Sequence, residues 1–223
     1  MVEQEEYLGE KLYFFISGIA IGVPTAIFFE VIFQNWFTVL GVATFVAPVV
    51  EEFAKASTLF YRFERAGKAL IRNGFLAGLG FGVAEFLVYV ERGVPFFLRL
   101  PAIGFHAAGA AIVAYGIYKR DTLKYYLLAV ALHFLNNFFA ALGLLWFIGG
   151  LGATFASYYI AWRFYKRAAR ESTTSTARTA LRFCMNCGAQ VMHEFRYCYY
   201  CGSQQNPLPI SAGSNASETQ QQK

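Results

Sequence analysis

The chain has 223 residues, of which 57% are hydrophobic and 18% aromatic, while Asp, Glu, Lys and Arg together make up only 15%. Soluble domains carry roughly 25% charged residues, so this composition excludes a soluble monomer. The 19 Lys and Arg exceed the 14 Asp and Glu. In so apolar a chain, that excess indicates loops at a membrane surface rather than binding to nucleic acid.

Six apolar segments are long enough to cross a bilayer, whose hydrocarbon core of ~30 Å needs roughly 20 helical residues. In chain order they cover residues 12–33, 37–60, 71–91, 97–118, 124–142 and 145–165. The last two lie in one uncharged stretch that is too long for a single span, so we expect a turn near Gly143. The first follows a segment with four glutamates and one lysine, whereas a signal peptide begins with a basic region, so we interpret it as a span and not a signal peptide. The sequence therefore predicts an all-α, polytopic membrane helical bundle of about six spans.

The basic residues predict the orientation of this bundle, because Lys and Arg accumulate in cytoplasmic loops. Most of them follow spans two, four and six, on one side of the membrane: Arg62, Arg65, Lys68, Arg72, Lys119, Arg120, Lys124, Arg163, Lys166, Arg167 and Arg170. The loops on the other side contain only Arg92 and Arg99. We therefore expect a multi-pass protein of the cell membrane with both termini in the cytoplasm.

Ionisable side chains within spans are unfavourable, by roughly 2.5–3.5 kcal/mol on insertion scales, and indicate function by default. Spans two to five carry the following: Glu51, Glu52 and Lys55, then Glu85, then His106, then His133. Counted from the nearest basic loop residue, these carboxylates and imidazoles lie about 9 to 13 residues deep, or roughly 14 to 20 Å. Because four antiparallel helices place them at a similar depth, we predict one shared site.

Carboxylates and imidazoles in one buried layer are the side chains that a catalytic zinc ion requires, with an open position for water and a nearby carboxylate as base. We assign Glu85, His106 and His133 as candidate ligands. Glu51 or Glu52 is the candidate general base. For each residue alone, a structural hydrogen bond between helices is the alternative.

Two polar residues beside this set have more than one interpretation. Asn137 lies four residues after His133, on the same helix face, and is a candidate to orient the site or to donate to an oxyanion. Lys55 lies three residues after Glu52. It is either an internal counter-ion, a structural salt bridge or an amine that reaches the cytoplasmic edge.

Proline and glycine add expectations about the backbone around the site. Pro48 is expected to kink span two and to free backbone groups that line a cavity. Gly74, Gly78 and Gly82 recur at every fourth position, which allows close helix contact. We expect that contact to bring Glu85 towards span two.

The ordered set of motifs resembles the PrsW-type intramembrane proteases. Residues 51–55 (EEFAK) match the EExxK motif, residues 81–85 match FxxxE, and residues 133–137 match the HxxxD-type motif, with His106 between them. Asn137 stands where PrsW-type members usually have Asp, and Asn is more typical of the related CAAX prenyl endopeptidases. The match covers residues 45–140.

The resemblance implies a glutamate-dependent and metal-dependent intramembrane endopeptidase that cleaves membrane-anchored protein or peptide substrates. The same residues would also work without a metal, with Glu51 activating water, Glu85 or His106 assisting, and His133 and Asn137 binding the oxyanion. A divalent-ion or proton transporter is one alternative function, because midplane ionisable residues also form relays and ion sites. A non-catalytic membrane scaffold that presents its C-terminal segment is another.

That C-terminal segment contains every cysteine of the chain. Cys184, Cys187, Cys198 and Cys201 form two CxxCG motifs that are separated by ten residues. Such pairs predict a four-sulfur structural zinc site, and the glycines allow the backbone to turn around the sulfurs. The alternative is a redox pair. The resulting zinc ribbon would be a stability module or a surface for a cytoplasmic partner or substrate, with no nucleic acid expected.

These observations divide the chain into four predicted parts. Residues 1–165 form the transmembrane protease domain that the resemblance implies, and residues 166–182 form a flexible linker. Residues 183–202 form the zinc ribbon, and residues 203–223 form a disordered tail rich in Gln, Ser and Asn.

Overall fold

The computed structural model describes residues 2–61, 67–143, 146–178, 181–192, 197–198 and 200–205. These residues form two compact units, Met1–Ser172 and Thr173–Lys223. The first unit is helical throughout its described part. The second contains the end of the last helix and a small antiparallel hairpin.

The described helices follow one another with short connections. They are α1 (Val2–Ser17), α2 (Val23–Phe33), α3 (Val39–Gly41), α4 (Ala47–Ser57), α5 (Gly67–Glu91), α6 (Phe96–Lys119), α7 (Thr122–Ala141) and α8 (Trp146–Arg178). A π-helical turn, Gly18–Gly22, joins α1 to α2, and a second one, Val42–Val46, joins α3 to α4. The strands β1 (Leu181–Phe183) and β2 (Gln190–Met192) pair with each other.

Three of the described helical stretches are long and apolar enough to cross a membrane. They are Leu8–Phe33, Gly67–Glu91 and Phe96–Lys119, and they correspond to the first, third and fourth predicted spans. A membrane protein is therefore indicated, as the composition predicts. The second predicted span is divided between α3, the second π turn, α4 and a 3₁₀ turn at Thr58–Tyr61, so it is not one regular α-helix.

The boundary predicted near Gly143 lies where the structure ends one helix. α7 ends at Ala141, and Gly143 adopts a φ of +66°, a left-handed conformation that favours glycine. Within the described residues, the next helix begins at Trp146. The uncharged stretch is therefore divided at the predicted glycine.

The linker prediction differs from the structure over most of its length. α8 continues to Arg178, whereas residues 166–182 are predicted to be flexible. Ala, Arg and Glu in this region have high helix propensity, which the polar character of the segment obscures. Glu171 also ties the helix to α6, because its carboxylate accepts from Lys119 Nζ at 2.6 Å. Most of the predicted tail, from residue 206 onwards, lies outside the described residues.

The glycines of α5 form a close seam with α6. A Cβ atom on Gly74 would lie 2.6 Å from Ala114 Cβ, and one on Gly82 would lie 2.8 Å from Ile103 Cα. On Gly78 it would collide with the backbone carbonyl of His106. The predicted close contact is confirmed, and the helix that meets the glycines is α6.

Candidate functional site

Polar side chains from four helices meet inside the first unit. α4 contributes Glu51, Glu52 and Lys55, α6 contributes His106 and α7 contributes His133, and each of the five is at most 7% exposed. α5 adds a carboxyl group that reaches this set through His106. Buried charged groups persist in such a bundle only when they are paired with one another, so their contacts define the site.

Glu52 is the centre of these contacts. Its Oε1 atom accepts from Lys55 Nζ at 2.6 Å and lies 2.9 Å from His133 Nδ1. Lys55 Nζ also lies 2.9 Å from Nδ1 of His106. The amine thus joins α4 to α6, and the carboxylate joins α4 to α7.

The network continues from His106 towards α5. Its Nε2 atom lies 2.6 Å from Oε2 of Glu85, and the other oxygen of that carboxylate accepts from Arg99 at 2.8 Å. The Arg99 guanidinium lies over the ring of Tyr89, 3.7 Å from its centroid. An unbroken set of contacts therefore runs from Arg99 to His133.

The partners assign the protons of both imidazoles. An ammonium group only donates, so Nδ1 of His106 accepts from Lys55 and its Nε2 carries the hydrogen that is donated to Glu85. An ionised carboxylate only accepts, so Nδ1 of His133 donates to Glu52. The lone pair on Nε2 of His133 then remains available.

Glu51 differs from its neighbour Glu52, which pairs through Oε1 with Lys55 and His133 although its Oε2 atom has no hydrogen-bond partner among the described residues. Oε2 of Glu51 is also buried and without a hydrogen-bond partner among the described residues. That oxygen lies 3.7 Å from Nδ1 of His106 and 3.8 Å from Nε2 of His133. These separations exceed a direct hydrogen bond. The carboxylate oxygen and the imidazole nitrogen are therefore placed so that one small ligand could bind both of them.

The set that converges is not the predicted ligand set. Glu51, His106 and His133 each offer one atom within 4.8 Å of the others and could hold a metal ion. Glu85, which the sequence suggests as a ligand, contacts the opposite nitrogen of His106 instead. Spacing along the chain places these side chains at one depth but does not say which side of a ring each carboxylate faces.

The chemistry of the donor set fits a metal ion only in part. The outer nitrogen of each imidazole contacts a carboxylate, as is typical of metal-binding histidines. However, Nδ1 of His106, the nitrogen on the side of Glu51, already accepts from the Lys55 ammonium. A metal ion therefore requires displacement of the Lys55 amine.

Two cavities open on this site. The first, of about 430 Å³, is lined by Glu51 and also by Glu30 of α2. The second, of about 400 Å³, is lined by His106 and His133. Four residues line both cavities, namely Glu85, Arg99, Asn137 and Ala140. Open space therefore lies on two sides of the polar residues.

Pro48 frees a backbone carbonyl, as predicted, and Asn137 binds it. In the second π turn the Ala47 N–H donates to Val42 O, five residues back. The next donor in that register would be Pro48, which has no N–H. The carbonyl of Ala43 instead accepts from Asn137 Nδ2 at 2.8 Å. Asn137 therefore lines both cavities but contacts the broken backbone, and no contact with the carboxylates or imidazoles is seen among the described residues.

Two residues at the site were missed by the sequence reasoning. Glu30 lies within the first predicted span, and an ionisable side chain inside an apolar span is the signal by which the sequence could have identified it. Arg99 was interpreted as a loop residue, although in the structure it is inside α6 and binds Glu85. For Arg99 the sequence contains no clear signal, because the start of the helix is ambiguous.

The cysteines form a second, separate cluster in the hairpin unit. One sulfur from each of the four lies within 4.8 Å of the others, a group that could hold a metal ion. The N–H of Gly188 donates to Cys184 O, and the N–H of Gly202 donates to Cys198 O, at 2.9 and 2.8 Å. Both glycines have a φ of +71°, so each CxxCG motif turns as predicted.

The thiols of this cluster differ in acidity. A hydrogen bond with the Ser203 hydroxyl lowers the pKa of Cys184 to about 5 and that of Cys201 to about 7. For Cys187 the backbone N–H of Ala189 lowers the pKa, but the neighbouring sulfurs, above all Cys201, outweigh it and raise the pKa to about 12. The lowered pKa values of Cys184 and Cys201 favour the thiolate form that binds metal.

Comparison with known proteins identified no relative of this chain. No family model matches the chain, and no match was found among curated proteins or solved structures. The function of the site is therefore inferred from its own contacts.

Proposed function

We propose that this chain is an intramembrane, glutamate-dependent endopeptidase that cleaves membrane-anchored protein or peptide substrates. One observation supports this above the others: the unpartnered Oε2 of Glu51 lies beside two imidazoles and at a cavity. A buried carboxylate oxygen without a partner is unfavourable unless water or substrate binds it. The resemblance of residues 45–140 to the PrsW-type proteases agrees with this proposal.

In the proposed reaction, Glu51 activates a water molecule. The water oxygen attacks the carbonyl carbon of the scissile peptide bond while Glu51 accepts a proton. When the C–N bond breaks, the same proton passes to the departing amine. Glu52 and Glu85 hold the imidazoles of His133 and His106 in fixed orientations.

The developing oxyanion needs donors that reach the cavities. Arg99 and Asn137 line both cavities and carry N–H groups. The Asn137 amide has a second hydrogen in addition to the one that it donates to Ala43. We assign this amide to the oxyanion, with Arg99 as the second donor.

The same proposal includes the architecture around the site. The chain crosses the cell membrane six times, with both termini in the cytoplasm, and the predicted zinc ribbon binds one structural Zn²⁺ through Cys184, Cys187, Cys198 and Cys201. A four-sulfur site of this kind is closed and supplies stability rather than catalysis. The hairpin around it is the surface for a cytoplasmic partner.

Cleavage by detergent-purified protein tests the proposal. Wild type and Glu51→Gln are compared on a panel of single-span substrates, with Glu91→Gln as the matched control because that glutamate is exposed at the end of α5. We expect Glu51→Gln to lower the rate by about 10²–10⁴-fold, as for loss of a general base. Equal cleavage by all three proteins, or none by the wild type, contradicts the proposal.

Proton transport is the second candidate, and a specific observation favours it. The contacts from Arg99 through Glu85, His106, Lys55 and Glu52 to His133 are continuous and would serve as a relay. Proteoliposomes loaded with a pH-sensitive dye distinguish the two functions. Rapid proton flux that Glu52→Gln abolishes, without cleavage of any substrate, favours transport.

A further inference from the structure

We propose that the Lys55 ammonium is a tethered cation that takes the place of a metal ion in the membrane site. It holds His106 and Glu52 in position, so the site retains its geometry without a bound metal. As an account of catalysis, this inference rests on the proposed function. As a statement about metal binding it stands alone, and its first test needs no proteolysis.

The burial and contacts of Lys55 support this assignment. Its side chain is fully buried, and Nζ lies 2.6 Å from Glu52 Oε1 and 2.9 Å from Nδ1 of His106. The ring of Phe81 lies beneath the amine, with 5.0 Å from Nζ to its centroid. A lysine that extended to the cytoplasmic edge would keep its amine at the surface. Lys55 is therefore part of the site.

The Lys55 amine occupies the position at which a metal ion would bind His106. Of the two nitrogens of His106, only Nδ1 is available to the Glu51 side, because Nε2 contacts Glu85. A metal ion bound to Nδ1 needs its lone pair, which the Lys55 N–H occupies. A divalent ion would also lie beside a fixed positive charge. The amine and the metal are therefore mutually exclusive.

Charge balance leads to the same assignment. The carboxyl groups that contact or face the imidazoles belong to Glu51, Glu52 and Glu85, and the cations paired with them are Lys55 and Arg99. Removal of the Lys55 charge leaves two imidazoles facing an excess of carboxylates, which is the donor set that Zn²⁺ prefers. Lys55 thus determines whether this site binds a metal.

The test measures Zn²⁺ binding in full-length protein whose four cysteines are changed to serine, so that only the membrane site remains. In this background we compare unchanged Lys55 with Lys55→Met, and Lys124→Met is the matched control because that lysine is exposed on α7. Metal content and Zn²⁺ affinity are measured in detergent. Lys55→Met should bind one Zn²⁺ at least about tenfold more tightly than the background, and His133→Ala should remove this gain.

Three results would overturn the inference. The first is stoichiometric Zn²⁺ in the background protein with Lys55 intact, lost on His133→Ala, which needs no Lys55 variant to fold. The second is a folded Lys55→Met protein that binds no more Zn²⁺ than the background. The third is equal gain from Lys124→Met. If the wild type cleaves no substrate, the proposed function fails, while these metal measurements still decide the role of Lys55.

Discussion

Two adjacent glutamates of α4 make different contacts because they point in different directions. Successive residues of a helix are about 100° apart around its axis. Glu52 therefore binds Lys55 and His133 directly through Oε1, whereas Oε2 of Glu51 lies 3.7 and 3.8 Å from nitrogens of His106 and His133 without a direct hydrogen bond. In the proposed reaction, Glu52 is therefore a positioning residue and Glu51 is the general base.

Replacing Glu52 should therefore affect stability first. Glu52→Gln removes the carboxylate that pairs with the buried Lys55, and breaking a buried pair costs about 3–5 kcal/mol. We expect a lower midpoint of thermal unfolding in detergent. Among the described residues Glu51 forms no ion pair with a lysine or arginine, so Glu51→Gln should unfold near the wild-type temperature. Equal destabilisation by the two variants would contradict this division of roles.

The residue types of the site could be predicted, but their pairing could not. An ionisable side chain in an apolar segment is visible in the sequence, which is why Glu51, His106 and His133 were identified. Which oxygen faces which ring nitrogen depends on the rotation and separation of helices to within about 1 Å. Glu85 shows the consequence, because the structure places it on the outer side of His106.

The thiols of the hairpin give a prediction about pH. In metal-free protein, Cys201 with a pKa of about 7 is half ionised at neutral pH, whereas Cys187 with a pKa of about 12 stays protonated. Both side chains are exposed. Since the thiolate is the nucleophile, alkylation of Cys201 should rise between about pH 6 and pH 8 and exceed that of Cys187 by more than about tenfold at pH 7.

Peptide mapping by mass spectrometry after brief treatment with iodoacetamide measures the two rates separately. Cys187 is the internal control, because it lies in the same C-terminal unit and is also exposed. Similar rates for the two cysteines across this pH range would show that Ser203 does not distinguish them.

At the scale of the helices, the seam between α5 and α6 fixes the distance between Glu85 and His106. The recurrence of glycine at every fourth position predicted a close contact because it gives one face of α5 no side chains. It could not predict the partner, since a bare face accepts any neighbour of suitable shape. The partner is α6, whose own small residues, including Ala110 and Ala114, meet the glycines.

A side chain added to this seam should separate the two helices. Gly78→Ala would place its Cβ against the carbonyl of His106, and such overpacking costs roughly 1–3 kcal/mol. Gly152→Ala is the matched control, because a Cβ there meets nothing within 4 Å and the higher helix propensity of alanine gains about 0.5–1 kcal/mol. Thermal unfolding in detergent should shift down for the first variant and up for the second.

Cleavage rates of the same two variants connect the seam to the site. Gly78→Ala should also lower the rate, because displacement of α6 moves His106 relative to Glu85. A Gly78→Ala protein with wild-type stability and rate would mean that the seam tolerates a methyl group. In that case the seam would not set the geometry of the site.

Two further elements show why regular periodicity was insufficient. Each π turn is followed by a proline, Pro24 after the first and Pro48 after the second, and each leaves the α-helical hydrogen-bond register. Apolar composition alone predicted one straight span over residues 37–60. Only the proline indicated a break, and the widened turn that accompanies it required a carbonyl partner from α7.

For the whole molecule, the membrane class could be predicted with more certainty than the number of spans. Three described helices satisfy length and apolar composition, whereas the second predicted span is irregular. The segment predicted to be a flexible linker is helical as far as Arg178. Helix propensity and the contact between Lys119 and Glu171 outweigh its polar composition. Local sequence gives no measure of such a tertiary contact.

The proposed orientation has a direct test in the native cysteines. All four lie in the C-terminal unit, so a membrane-impermeant maleimide has no other thiol in the chain to label. If the C-terminal unit is cytoplasmic, chelator-treated inside-out vesicles should be labelled. Right-side-out vesicles should be labelled only after permeabilisation. Labelling of intact right-side-out vesicles would reverse the orientation.

The α5 seam also limits how this protein can change over evolutionary time. Positions 74, 78 and 82 admit no Cβ without movement of α6, so a substitution there survives selection only with compensating changes on the facing helix. Outward-facing positions such as Phe75 and Leu87, which are 43% and 59% exposed, have no such restriction. Homologous chains should therefore diverge freely at these outward positions while the spacing of the glycines persists, giving a signature that is detectable after overall similarity has faded.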